Sequence, residues 1–188
     1  MALIGIGVLL WAFVHLIPTI EQPLKARLVE RLGANGYRGV FSLAIVASLV
    51  LIVIGWRSTP EEYLYVLPMW SRTVGFGLMI LSFILFGAAN YPTIIRRYIG
   101  HPMLTGLILW SAAHLLMNGT TRALLLFGGL GLWALIEIPL LNRRDGKPVP
   151  PEAPGFRGEL KGLIISAIIF MVVLFLHPYF AGVTPFVM

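Results

Sequence analysis

The chain has 188 residues, 58% of them hydrophobic and 12% charged, with 14 Lys+Arg against 8 Asp+Glu for a net charge of +6. A water-soluble domain carries roughly 45–50% apolar and about 25% charged residues, so this chain has more apolar surface than a soluble core of its length can hide. There is no cysteine, which excludes disulfides, thiolate-bound zinc, iron–sulfur clusters and a thiolate-ligated haem.

A helix needs about 20 apolar residues to cross the hydrocarbon core, with a range of roughly 17–25. In chain order six runs qualify: residues 2–20, 40–56, 73–89, 102–118, 121–141 and 163–180. The first begins at Ala2 with no basic stretch before it and no clear small-residue cleavage site after it. It therefore reads as a membrane span rather than a removable leader. Gln22-Pro23, Thr59-Pro60, Tyr91-Pro92 and the stretch 146–158 punctuate the connections. Asn118-Gly119-Thr120 is short enough to force the fourth and fifth helices into an antiparallel hairpin. The expected fold is a single all-α integral membrane domain, a six-transmembrane-helix bundle.

Loop charge sets the expected topology. The loops after the first, third and fifth helices hold Lys25, Arg27, Arg31, Arg38, Arg96, Arg97, Arg143, Arg144, Lys147, Arg157 and Lys161, whereas the other side has Arg57, Arg72 and Arg122. Lys and Arg are retained on the cytoplasmic side, which puts both termini on the non-cytoplasmic side. The bases lie in short loops between apolar runs, so the positive charge serves topology and not nucleic-acid binding, which needs a basic face on a soluble module. The lipid bilayer is the expected partner.

Ionisable side chains within spans are rare and mark function by default. All four histidines, His15, His101, His114 and His177, lie in or at the ends of these apolar helices. One such histidine is ordinarily a hydrogen-bonded interior residue; a full set of four in the membrane points to chemistry. His101 and His114 are thirteen residues apart on one helix, hence about 20 Å along the axis and about 140° around it, too far to share a metal. His101 precedes Pro102, a favoured first helical residue, and so belongs at the helix cap. Straight-helix counting puts His114 and His177 at similar depth and His15 roughly 12 Å deeper. That favours a His114–His177 pair, although a tilt or a kink near Pro18 removes the offset.

Zinc sites ordinarily recruit three or four protein ligands, and the buried carboxylate, Glu137, has no histidine at helix spacing. A haem needs only one or two imidazoles and an apolar slot. Trp110, Ser111 and Met117 lie beside His114, and Gly87, Ala88, Ala89, Gly128, Gly129 and Gly131 permit close helix approach, which is also what ordinary membrane packing uses.

The stretch RRYIGHPMLTGLILWSAAHLLMNG at 96–119, with its HP-x(3)-G-x(3)-W-x(3)-H spacing, resembles the signature of the NnrU family, which includes the plant 15-cis-ζ-carotene isomerases. FVH at 13–15, NRRDG at 142–146 and HPYFAG at 177–182 extend the resemblance over essentially the whole chain. The resemblance implies a bacterial inner-membrane protein linked to denitrification and nitric-oxide metabolism. In the isomerase branch it implies a haem b enzyme whose ligands match His15 and His114, with His101 a further important histidine. The implied ligand is nitric oxide or an apolar polyene. Three departures bear on isomerase activity: Gly100 replaces an arginine before the HP pair, Ser111 replaces a cysteine, and histidines that the isomerase has near Glu137 are missing.

HPMLTG is also similar to an Arg-His-Pro-x-Tyr-x-Gly cofactor motif of membrane methyltransferases and sterol reductases, but Gly100 and Leu104 stand where that motif has Arg and Tyr. A further alternative is a non-catalytic assembly or regulatory membrane protein with structural histidines. The topology is testable because the chain has no thiol of its own. Arg38→Cys should react with an impermeant maleimide only from the cytoplasmic face and Glu62→Cys only from the opposite one. The reverse pattern would invert the assignment.

Overall fold

The computed structural model describes residues 1–152 and 154–183. It is all-helical: among the described residues there are no strands, only an isolated antiparallel bridge between Tyr63 and Thr120. We number the helices α1 (Ala2–Ile20), α2 (Gln22–Ser58), α3 (Met69–Ala88), α4 (Ile95–Tyr98), α5 (Pro102–Met117), α6 (Thr121–Asp145) and α7 (Gly155–Ala181).

Five of them, α1, α2, α3, α6 and α7, are long and apolar enough to cross a membrane. The remaining expected span, α5, is 16 residues, about 24 Å at 1.5 Å per residue, shorter than the roughly 30 Å hydrocarbon core. Large apolar side chains such as Leu9, Leu43, Met171 and Phe175 point outward, as a lipid-facing surface requires.

The helix ends depart from the apolar runs for a common reason: charged and polar residues prolong a helix beyond the hydrocarbon. Thus α6 continues to Asp145 and α7 starts at Gly155, both through basic stretches. The largest difference is in α2. The region 22–39 was expected as a basic connection, yet it is helical from Gln22, with Pro23 in the first turn and one break at Gly33 (φ 71°). Leu24, Leu28 and Leu32 recur every four residues while Lys25, Arg27 and Arg31 fall between them, the alternation of an amphipathic helix rather than a loop.

Small residues set the packing. In the α1–α2 pair, a Cβ at Gly55 would lie 2.7 Å from the Ile4 nitrogen, so the two backbones touch there. In the α3–α5 pair, Gly106 offers its carbonyl to the Ser82 hydroxyl at 2.8 Å. Close approach through small residues is how helices associate when lipid is as apolar as the side chains. A core of Ile4, Val8, Ile52, Trp56, Ala123, Leu126, Phe127 and Leu130 joins α1, α2 and α6.

The α2–α3 connection folds over the α5–α6 turn. Leu64 N donates to Gly119 O at 2.8 Å and Thr121 N to Glu62 O at 2.9 Å. Arg122, counted from the sequence as an outer-face charge, is buried. Its Nη1 donates to Trp56 O (3.1 Å) and Thr59 O (3.0 Å), its Nη2 pairs with Glu61, and its guanidinium lies 4.3 Å from the Trp56 ring centre. The Tyr65 hydroxyl donates to Leu115 O at 2.8 Å. Burial raises that phenol above its ordinary pKa, so it stays protonated and donating.

Gly55→Val should separate α1 from α2. We expect a loss of about 1–3 kcal/mol, the usual range for overpacking, read as a lower unfolding midpoint in detergent, whereas Gly77→Ala, where a Cβ meets open space, should leave the midpoint unchanged.

Candidate functional site

Helices α2, α3, α5, α6 and α7 line a partly open cavity of about 350 Å³, within the roughly 300–1,000 Å³ of small-molecule sites. Its walls are apolar: Ile52, Val53 and Trp56 from α2, Phe76, Met79 and Phe83 from α3, Leu126, Phe127 and Leu130 from α6, and Phe170 and Leu174 from α7. The polar side chains in the lining, among the described residues, are His114 on α5, Asn118 just past its end and His177 on α7.

A local backbone irregularity shapes one wall. Thr120 caps α6, its Oγ1 accepting from Ala123 N at 3.3 Å, and the next turn, Leu124–Gly128, is a π-turn. Such turns cluster at functional sites because they re-aim side chains. Here the wide turn carries Leu126 and Phe127, and the Phe127 ring stacks on the His114 imidazole at 4.1 Å and 17°. Trp110 packs beside both rings, 4.4 Å from the same imidazole and 4.9 Å from Phe127, so the three rings form a compact triangle.

His114 Nδ1 lies 2.8 Å from Trp110 O. A carbonyl only accepts, so Nδ1 carries the proton and Nε2 of the neutral ring keeps its lone pair. Among the described residues no protein group bonds that Nε2. His177 repeats the pattern, with Nδ1 donating to Val183 O at 2.9 Å. Metal-binding histidines are typically held in this way, one nitrogen tied to an acceptor and the other free to ligate.

His15 is also tied, with Nδ1 donating to Trp11 O at 2.8 Å, but it does not line the cavity. It sits among Trp11 (4.4 Å), Trp133 (4.9 Å) and Phe41 (5.5 Å). The contact between Val8 and Gly129 gives the relative level of α1 and α6; His15 lies seven residues further along α1, about 10 Å deeper. The cavity thus brings His114 and His177 together and leaves His15 in a separate part of the bundle. His101 is the N-cap residue of α5. Its Nε2 lies 2.9 Å from Asn142 Oδ1, which joins the α5 entry to the end of α6. Trp110 lines the cavity, and Ser111 instead packs against Gly131, with its hydroxyl buried. Glu137 is buried and accepts from Thr19 Oγ1 at 2.5 Å.

Two features escaped the sequence. The first is the wall of Trp56 and Phe127, which read there as ordinary apolar positions in a span. The second is a repeated device. Trp-x(3)-His occurs both at Trp11–His15 and at Trp110–His114, and in each case the tryptophan supplies the carbonyl and lays its ring 4.4 Å from the imidazole. The spacing was visible in both helices, but only the second was singled out.

Among the described residues no three His, Cys, Asp or Glu side chains gather as a metal-binding group, so the chain offers paired imidazoles rather than a three-ligand cage. A haem asks for that donor set and for apolar walls, and the cavity supplies both. The haem's propionates would need cations at its edge. Arg57 flanks the Trp56 end of the lining, donating to Tyr179 O at 3.0 Å, whereas Arg122 there is already committed to Glu61 and two carbonyls.

Comparison with curated proteins and with solved structures finds no match to this chain. The family model described as NnrU protein matches residues 3–185, a span that includes all but the first residue of α1, the whole of α2 to α7, both Trp-x(3)-His pairs and the cavity. The chain is a membrane protein of the NnrU family.

Proposed function

We propose that this NnrU protein holds a b-type haem in the cavity and serves in nitrogen-oxide-linked metabolism at the bacterial inner membrane, with six spans and both termini outside the cytoplasm. The observation that supports haem is the His114 imidazole: Nδ1 is committed to Trp110 O, and the ring stacks on Phe127 with Trp110 packed against both. Nε2 is thereby left for a ligand in an otherwise apolar chamber. His114 would hold the haem iron, and His177, which lines the same cavity, would be the second residue to hold it, while the family resemblance implies His15 in that role. When bound, the haem supplies an iron that transfers an electron or takes a diatomic ligand such as nitric oxide.

The chain's own contribution is orientation and exclusion. The Trp110 carbonyl fixes the tautomer, and the Phe and Leu walls keep bulk water from the iron side. Glu61 and Arg122 anchor the loop that closes the α5–α6 end. His101 stands outside the cavity and acts through Asn142, steadying the α5 entry. A second reading, isomerisation of a long apolar polyene, is favoured by one observation: the α7 wall, with Phe170 and Leu174, belongs to a helix largely exposed to lipid. An apolar substrate then has a short path from bilayer to cavity.

The deciding measurement is the absorption spectrum of detergent-purified protein expressed with haem supply, oxidised and dithionite-reduced. Wild type should show a Soret band with sharp reduced bands. His114→Ala should weaken haem affinity by more than the about 10–100-fold that loss of a mere supporting group costs a metal site. His177→Ala should shift the bands and His15→Ala should leave them unchanged. A spectral change with His15→Ala but none with His177→Ala would make His15 the second ligand. A folded, haem-supplied protein without a Soret band would overturn the proposal.

A further inference from the structure

Four buried polar atoms without a partner among the described residues belong to one seam of the bundle: Trp11 Nε1 on α1, Ser111 Oγ on α5, and Trp133 Nε1 and Glu137 Oε2 on α6. The seam is compact. The Trp11 and Trp133 rings meet edge-on at 5.9 Å, with His15 within 5 Å of both. Glu137 follows Trp133 by one turn, about 6 Å along α6. At the other end Ser111 packs on Gly131, two residues before Trp133, and stands one turn before His114.

Each of these atoms loses its hydration on folding, and the surrounding hydrocarbon offers no replacement. Glu137 illustrates the problem: it is 4% exposed, and Thr19 satisfies only Oε1. The chemistry of the set decides what fills it. Two indole N–H groups repel a cation, and a carboxylate oxygen repels an anion. A hydroxyl accepts either partner. Water donates to the carboxylate and accepts from the indoles, and buried waters typically bridge such otherwise unsatisfied groups.

We propose that the α1–α5–α6 seam binds a file of ordered water running from Glu137 past Trp133 and Trp11 to Ser111. The file forms a polar route through the bundle that ends one turn from the cavity histidine. It enters from the end of the bundle that carries the basic loops, opposite the Trp56 end of the cavity. The cavity thereby gains a water supply separate from its apolar walls. This inference stands whether or not haem binds.

The structure contains its own control. Trp133 and Trp56 are each 7% exposed, but Trp56 Nε1 has a protein partner, Ala181 O at 3.1 Å, and Trp133 Nε1 has none. X-ray radiolysis generates hydroxyl radicals from bound water in place, so tryptophan oxidation by mass spectrometry reads local water independently of surface exposure. The full chain in nanodiscs would be irradiated, with exposed Trp70 as the positive control. We expect Trp133 and Trp11 to oxidise several-fold faster than Trp56. Ser111→Ala should slow oxidation at Trp133 without changing Trp56. Wild-type Trp133 oxidising no faster than Trp56 would overturn the proposal and show that the indoles and Glu137 close on one another directly. Labelling of Trp133 untouched by Ser111→Ala would overturn the route to the cavity.

Discussion

Hydrocarbon gives a polar group nothing to bond, and the bundle is arranged around that constraint. Several in-span hydroxyls turn to carbonyls: Ser48 to Ile45, Ser82 to Gly106 and Ser166 to Gly162. The histidines obey the same rule. Three of them spend Nδ1 on a backbone carbonyl, and that one bond fixes proton position, ring orientation and the nitrogen left over for a ligand. Tautomer selection is therefore a consequence of being in the membrane. Arg122 shows the constraint at its most demanding, since a guanidinium is buried only because two carbonyls, a carboxylate and an indole face surround it.

The bundle divides its polar groups between two places. Around His114 the walls are phenylalanine, leucine and tryptophan, with the imidazole stacked on Phe127 and Trp110 packed against both. Around His15, beside Phe41, are two indoles whose N–H groups lack partners among the described residues, and a buried carboxylate lies nearby. The same Trp-x(3)-His device thus operates in two different environments, one walled by apolar side chains and one by polar groups. The π-turn at Leu124–Gly128 contributes to this difference because it carries Phe127 onto the His114 imidazole.

Much of this was legible from residues alone. Apolar runs located the membrane helices, because hydropathy reports directly on the solvent a helix prefers. His101 at a helix cap followed from Pro102. The α2 segment before Gly33 was missed because its basic residues outweighed its every-fourth leucine. The burial of Arg122 was missed because its partners, Trp56, Thr59 and Glu61, are about 60 residues away in sequence. The cavity itself is a property of five helices together, and no local spacing encodes it. The relation of His15 to His114 depends on the axial register between α1 and α6, which the Val8–Gly129 contact fixes and composition cannot.

The last helix adds a further element. Only Gly162 and Ser166 of α7 are buried. Towards one end α7 is bound to α3 through Phe83–Phe170 and to the α3–α4 connection through Glu159 and Thr93; at the other it meets α2 through carbonyls that take bonds from Trp56 and Arg57. Between those two attachments it carries His177 and a wall of the cavity, and its outer face rests on acyl chains. A helix held this way takes its tilt from bilayer thickness as much as from protein contacts. The shape of the chamber, and the distance from His177 to His114 across it, is then a property of the lipid in which the chain is dissolved.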